Sequence, residues 1–138
     1  TMAPKVVERM NRRIVNKVEE HKEDIVEFES QNTEDAEILI LSYGGSARSA
    51  KEAVLRLKAE GYQVGFFRPI TIRPFPEKEV GKIAEKVKAI VVPEMNMGQL
   101  KQEVERVVAG RTKVLGVNKV DGELITPAEI ITVVKGVE

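Results

Sequence analysis

Cysteine is absent from the 138 residues. That excludes disulfides, thiolate zinc sites, Cys-ligated iron–sulfur clusters and a Cys nucleophile on this chain. A single histidine, His21, excludes a multi-His metal site or relay. Tryptophan is absent and aromatics make up 4% of residues, so the core must be built from Val, Ile, Leu, Ala and Met. No apolar run approaches the ~20 residues of a membrane span, and the N-terminus carries no apolar signal-like region. Charge of one sign is lacking too: 22 basic residues meet 22 acidic ones. That argues against a nucleic-acid binder driven by bulk positive charge. These absences predict a cytoplasmic protein, with neither nucleic acid nor membrane among its partners.

What is abundant is charge of both signs, 32% of residues, which predicts a surface rich in ion pairs. Pro4 suits a first helical turn. Val7, Met10, Ile14, Val18, His21 and Ile25 follow at spacings of three and four, which predicts one helix over residues 4–27. Its basic residues come early and its acidic residues late, against the helix dipole, so it should lean on something else. Antiparallel pairing with a second copy or with another subunit, and folding back on its own domain, are all open. His21 is expected to be a partly buried packing residue. The polar stretch 30–35 reads as a linker. The division expected is 1–34 for the N-terminal helix and linker, and 35–138 for an α/β domain.

From residue 36 strand and helix signals alternate. The apolar run 38–43 reads as a strand buried on both faces. Gly44 and Gly45 end it, and Ser46 is the expected N-cap of a helix to about residue 60. Further strands are expected at 64–68, 88–93 and 113–117, with helices at 77–87, 99–109 and 128–135. The last is capped by Thr126 with Pro127 at its first position. Four strands joined through helices imply parallel pairing and a three-layer α/β sandwich with a mostly parallel sheet, preceded by the N-terminal helix.

Two segments are candidates for chemistry. Gly44, Gly45, Ser46 and Arg48 follow a buried strand and open a helix, where free backbone N–H groups hold anions. The pattern is neither G-x-G-x-x-G nor a P-loop, and a tight turn with a Ser cap is the simpler reading. Glu94, Met95, Asn96, Met97 and Gln99 lie past another strand's carboxyl end, where open α/β sheets place ligands. Glu94 has no partner acid or His near it in sequence, and the methionines suit an adaptable contact surface, so this is read as an interface loop. Arg68 and Arg73 flank a Pro-bracketed segment anchored by Phe75. No nucleophile–base pair is visible, so no catalytic residue is assigned.

The stretches LSYGGSARSAKEAV, GYQVGFFRPITIRPFPEKEV, VKAIVVPEMNMGQLKQEVERV and VDGELITPAEI occur in an order and spacing that resembles a known family. It is the C-terminal domain of the alpha subunit of 2-oxoacid:ferredoxin oxidoreductases of the 2-oxoglutarate type. The resemblance covers residues 36–135 and extends more distantly to the transketolase C-terminal domain. It implies an assembly domain in a complex that decarboxylates a 2-oxoacid, makes an acyl-CoA and reduces ferredoxin. The complex would use thiamine diphosphate, magnesium and iron–sulfur clusters held elsewhere, with none on this chain. Its other domains and subunits would be the direct partners, and CoA and ferredoxin would act on the whole complex. The family's thiamine-facing domain has no counterpart in this sequence, which is read as an excised domain or the product of a split gene. The alternative is a stand-alone module that binds an anion or a CoA-like ligand at the 44–48 turn.

Overall fold

The computed structural model describes residues 3–137. The elements in chain order are α1 (Pro4–Glu19), α2 (Lys22–Ile25), β1 (Phe28–Gln31), β2 (Ile38–Leu41), α3 (Ser46–Ala59), β3 (Val64–Pro69), α4 (Glu77–Ala84), β4 (Ala89–Glu94), α5 (Gln99–Val108), β5 (Lys113–Asn118) and α6 (Pro127–Lys135). Five strands form one sheet in the order β1-β3-β2-β4-β5. All neighbours pair in parallel except β1, which runs antiparallel to β3 with Phe28 opposite Pro69.

The apolar runs explain the layering. In β2 and β4 every residue is buried, because both faces are covered. On one face Leu39, Leu41, Phe67, Ile90 and Val92 pack against Val80 and Ala84 of α4 and Leu100, Val104 and Val108 of α5. On the other, Ile38, Ile40, Phe66 and Val91 meet Ala50, Ala53 and Leu57 of α3 with Ile130 and Val134 of α6. Small alanines on α3 let that helix lie close to the sheet. The result is the expected three-layer α/β sandwich with a mostly parallel sheet.

Several expectations are corrected. The sheet has five strands, since residues 28–31 form an antiparallel edge within the segment read as N-terminal helix and linker. Its sequence, FESQ, is polar because it faces solvent, but Phe28 stacks on Phe67 with ring centroids 5.1 Å apart. Glu29 accepts a hydrogen bond from Lys51 Nζ at 2.7 Å, which fastens the edge to α3. That bond holds the Glu29 carboxyl below its ordinary range. The single helix over 4–27 is two helices separated by a turn at 20–21. His21 is exposed, with its side chain at 60%, because that turn takes it off the apolar stripe. Ser46 is not an N-cap: Gly45 occupies that position, and Ser46 Oγ donates to the carbonyl of Tyr43 at 3.1 Å.

Helix α6 begins with the expected Thr126 cap, completed by Glu129 three residues on. Glu129 N–H donates to Thr126 Oγ1, while Glu129 Oε2 accepts from the backbone N–H of Thr126 at 2.7 Å. Such a box satisfies donors at the helix start reciprocally.

Two outcomes follow for stability. Phe67→Ala should cost about 3–5 kcal/mol in urea unfolding, and Phe28→Ala clearly less, because Phe28 is partly exposed. The Glu129 carboxyl is held down at about 2, first by the Thr126 backbone N–H, then by the Thr126 hydroxyl and Lys119. A lowered carboxyl stabilises the fold above its unfolded value and loses that contribution as pH falls through the folded one. Unfolding midpoints of Glu129→Gln against wild type should therefore differ at neutral pH and converge between pH 4.5 and about 2.

Candidate functional site

Strand β2 lies between β3 and β4. Its crossover helix α3 covers one face of the sheet, whereas α5, which follows β4, covers the other. The chain thus leaves β2 and β4 in opposite directions, which opens a crevice at their carboxyl ends, the usual ligand position in such sheets. Both candidate segments lie here, the 44–48 turn after β2 and the 94–99 segment at the end of β4.

The crevice is bridged by the chain's own polar groups. Ser42 is fully buried and its Oγ donates to the carbonyl of Pro93 at 2.8 Å. Asn96 Nδ2 donates to Tyr43 Oη at 3.1 Å, and the Met95 methyl lies where a Cβ on Gly45 would stand 3.4 Å away. Gly44 turns the chain at a φ of +58°, a conformation glycine adopts without strain. From the far side Asn118 Nδ2 donates to the carbonyl of Asn96 at 3.0 Å.

Glu94 is the last residue of β4 rather than a loop acid, and it is 0% exposed. Its Oε2 accepts from Leu100 N–H at 2.8 Å and its Oε1 from Lys101 N–H at 3.0 Å. These are donors of the first turn of α5, which lack helical partners and attract negative charge. Asn96 Oδ1 accepts from Gly98 and Gln99 N–H at 2.8 and 3.0 Å. Gly98, at φ +102°, turns the chain so that strand end and helix start both reach the carboxylate. Both Glu94 oxygens are thus committed to the helix.

Of the residues chosen for an interface, Met97 is 80% and Met95 42% exposed. Gln99 is also exposed, Asn96 is half-buried and Glu94 is inaccessible. Of those chosen for an anion, Gly44, Gly45 and Arg48 face solvent, and Ser46 is buried. Ser42, Tyr43 and Asn118 complete the bridging, a role that sequence reasoning gives to none of them. The signal for Ser42 is a lone hydroxyl closing an apolar run.

Beside the crevice lies a cleft of ≈ 760 Å³ whose lining includes Val18, Tyr43, Ile72, Arg73, Gln99 and Arg106. Arg106 bonds Glu103 at 2.6 Å and Glu77 at 2.7 Å. The Glu103 carboxyl is lowered chiefly by that Arg106 hydrogen bond, against desolvation. Phe75, the expected anchor of the Pro-bracketed segment, is 3% exposed. Metal does not fit this site: among the described residues no group of three or more His, Cys, Asp or Glu is placed to hold an ion. A Cys-ligated cluster has no ligands anywhere in the sequence. No helix among the described residues is long and apolar enough to cross a membrane.

Glu94→Ala would strip two buried N–H groups of their acceptor. The expected loss is about 1.5–3 kcal/mol in urea unfolding, with Glu94→Gln falling between it and wild type.

Comparison with known proteins places this arrangement. The family described as "Pyruvate:ferredoxin oxidoreductase core domain II" matches residues 36–130. A 2-oxoglutarate synthase subunit KorA of Methanocaldococcus jannaschii is 42% identical over 135 residues, 98% of this chain and 36% of the relative. That of Methanothermobacter marburgensis is 36% identical over the same shares. The chain therefore spans little more than a third of the length of these relatives, and the segment they share with it reaches across α1. Among solved structures, a 2-oxoglutarate:ferredoxin oxidoreductase from Magnetococcus marinus, with 2-oxoglutarate, coenzyme A and succinyl-CoA bound, superposes at a TM-score of 0.78. Its sequence identity is 26%, over 98% of this chain and 24% of that one. A split-gene transketolase, an inactive beta4 tetramer, superposes at 0.66 with 24% identity over 75% of this chain and 39% of its own, and shares the fold. With the family's core domain matched from Ala36 to Ile130, the chain belongs to the pyruvate:ferredoxin oxidoreductase core domain II family.

Proposed function

We propose that this chain is an assembly domain of a thiamine-diphosphate-dependent 2-oxoacid:ferredoxin oxidoreductase of the 2-oxoglutarate type. It packs against neighbouring domains and subunits and shapes the complex, while the chemistry takes place on other segments. The complex would convert a 2-oxoacid and CoA to an acyl-CoA and carbon dioxide, passing two electrons to ferredoxin in the cytoplasm. Thiamine diphosphate, magnesium and the iron–sulfur clusters would be held by those other segments.

The observation that carries this reading is the bridged crevice. Ser42, Tyr43, Asn96 and both oxygens of Glu94 are engaged with the chain itself, at the place where this kind of sheet would otherwise bind a ligand. Among the groups facing outward there, beside Arg48 and Gln99, Met95 and Met97 are soft apolar side chains suited to contact. The KorA relatives and the Magnetococcus marinus structure supply the 2-oxoglutarate specificity of the proposal.

Reconstitution tests it. The chain mixed with 2-oxoglutarate, CoA and a viologen dye should give no dye reduction. Adding the thiamine-binding remainder of the oxidoreductase should give turnover, and the remainder alone should be impaired in assembly. A remainder that assembles and works fully without this domain would contradict the proposal. Calorimetry with CoA and with inorganic phosphate should show no saturable heat. Saturable binding lost in Arg48→Ala would instead make the 44–48 turn a ligand site.

A further inference from the structure

Helix α1 carries an apolar stripe that no element among the described residues buries. None of its residues is buried. Val7, Met10, Ile14 and Val18 are 38%, 46%, 64% and 40% exposed, at spacings that align them along one side. Scattered exposed apolar residues are ordinary, but a contiguous stripe of four marks a contact surface. The helix has little to hold it in water. No side chain caps its N-terminus, and a 16-residue helix is marginal without packing. It is nevertheless included in the region matched to the KorA relatives and to the Magnetococcus marinus structure.

Charge says what covers it. α1 carries five basic residues, Lys5, Arg9, Arg12, Arg13 and Lys17, and two acidic ones, Glu8 and Glu19. Glu8 is taken by Arg12 at 2.9 Å. Arg13 and Lys17 stand three residues after Met10 and Ile14, which puts them along one border of the stripe. Neither forms an ion pair among the described residues. Of the late acidic residues only Glu19 lies on this helix: a turn at 20–21 intervenes, and α2 is tied to the body by Lys22–Glu77 at 3.6 Å and Glu23–Lys78 at 3.9 Å. Two copies of α1, each with five basic residues and two acidic ones, bring mostly like charge together, which disfavours antiparallel self-pairing. An anionic membrane is a poorer fit as well, since interfacial helices use Trp or Phe as anchors and α1 has neither.

We propose that α1 is a docking arm whose stripe seats in an apolar groove with an acidic rim on a neighbouring segment of the oxidoreductase. This rests on the assembly reading above. Val18 also lines the carboxyl-end cleft with Tyr43, Ile72 and Arg73, so the docked arm brings its partner against that cleft. Arg73 is exposed there and forms no direct ion pair among the described residues, but the cleft already holds Glu19, Glu77 and Glu103, and the Arg73 charge helps to lower the Glu103 carboxyl.

The test uses the absence of cysteine: Asp121→Cys, in an exposed loop, takes a single fluorescent label. Anisotropy follows the labelled chain as the thiamine-binding remainder of the oxidoreductase is added. Wild type should bind. Ile14→Asp should bind about tenfold or more weakly, with an unchanged thermal unfolding midpoint because Ile14 supports no core. Arg13→Glu with Lys17→Glu should bind about tenfold more weakly at low salt, and that difference should shrink as salt rises. Equal binding of Ile14→Asp and wild type would overturn the docking arm and leave the assembly reading standing. No binding by wild type would overturn both. Light scattering that shows a wild-type dimer abolished by Ile14→Asp would make a second copy the occupant. Cosedimentation with phosphatidylserine–phosphatidylcholine vesicles lost in Ile14→Asp would make it a lipid surface. Either result would overturn the proposal.

Discussion

A fully buried carboxyl group needs hydrogen-bond partners, and Glu94 finds donors in the N–H groups that open α5. This interaction ties the end of the inner strand β4 to a helix that covers one face of the sheet. Neighbouring bonds extend it: Ser42 reaches the carbonyl of Pro93, Asn96 reaches Tyr43, and Asn118 reaches Asn96. The ends of β2, β4 and β5 are thereby joined through side chains at the position where the sheet topology opens a crevice. The charge that could have faced a ligand supports the domain's own architecture.

The proposed assembly role consequently rests on the periphery. The sandwich is closed on both faces by α4 and α5 on one side and α3 and α6 on the other, and its edge β1 is fastened through Glu29 and Lys51. The exposed apolar groups gather elsewhere, on α1, on the segment holding Ile70 and Ile72, and on Met95 and Met97. A zero net charge over the chain conceals an uneven distribution. α1 is basic, whereas acidic α2 is engaged by the body. That distribution is what the proposed docking to neighbours of complementary charge would use.

Much of the sandwich was legible because its signals are local. Continuous apolar runs marked β2 and β4, alternating helix signals set the parallel crossovers, and Thr126-Pro127 marked the start of α6. The edge strand β1 was not legible. One phenylalanine and three polar residues acquire strand structure only through pairing with β3, and the stacking of Phe28 on Phe67 spans 39 positions. The break at 20–21 was hidden because the apolar spacing continues through it as far as Ile25, and with it went the exposure of His21. At the site, the two loops could be placed at strand ends from the sequence. The fate of Glu94 could not, since its partners are backbone groups six and seven residues on, brought to it by Gly98. Ser46 likewise looked like a cap and instead bonds back to Tyr43.

Amide hydrogen exchange, compared between the free chain and the assembled oxidoreductase, addresses the central claim most directly. Added protection across residues 4–19 and the 95–99 loop, with none on adding CoA or 2-oxoglutarate to the free chain, is the expected result. Protection of residues 44–48 in the free chain on adding CoA, with 4–19 unchanged on assembly, would contradict it.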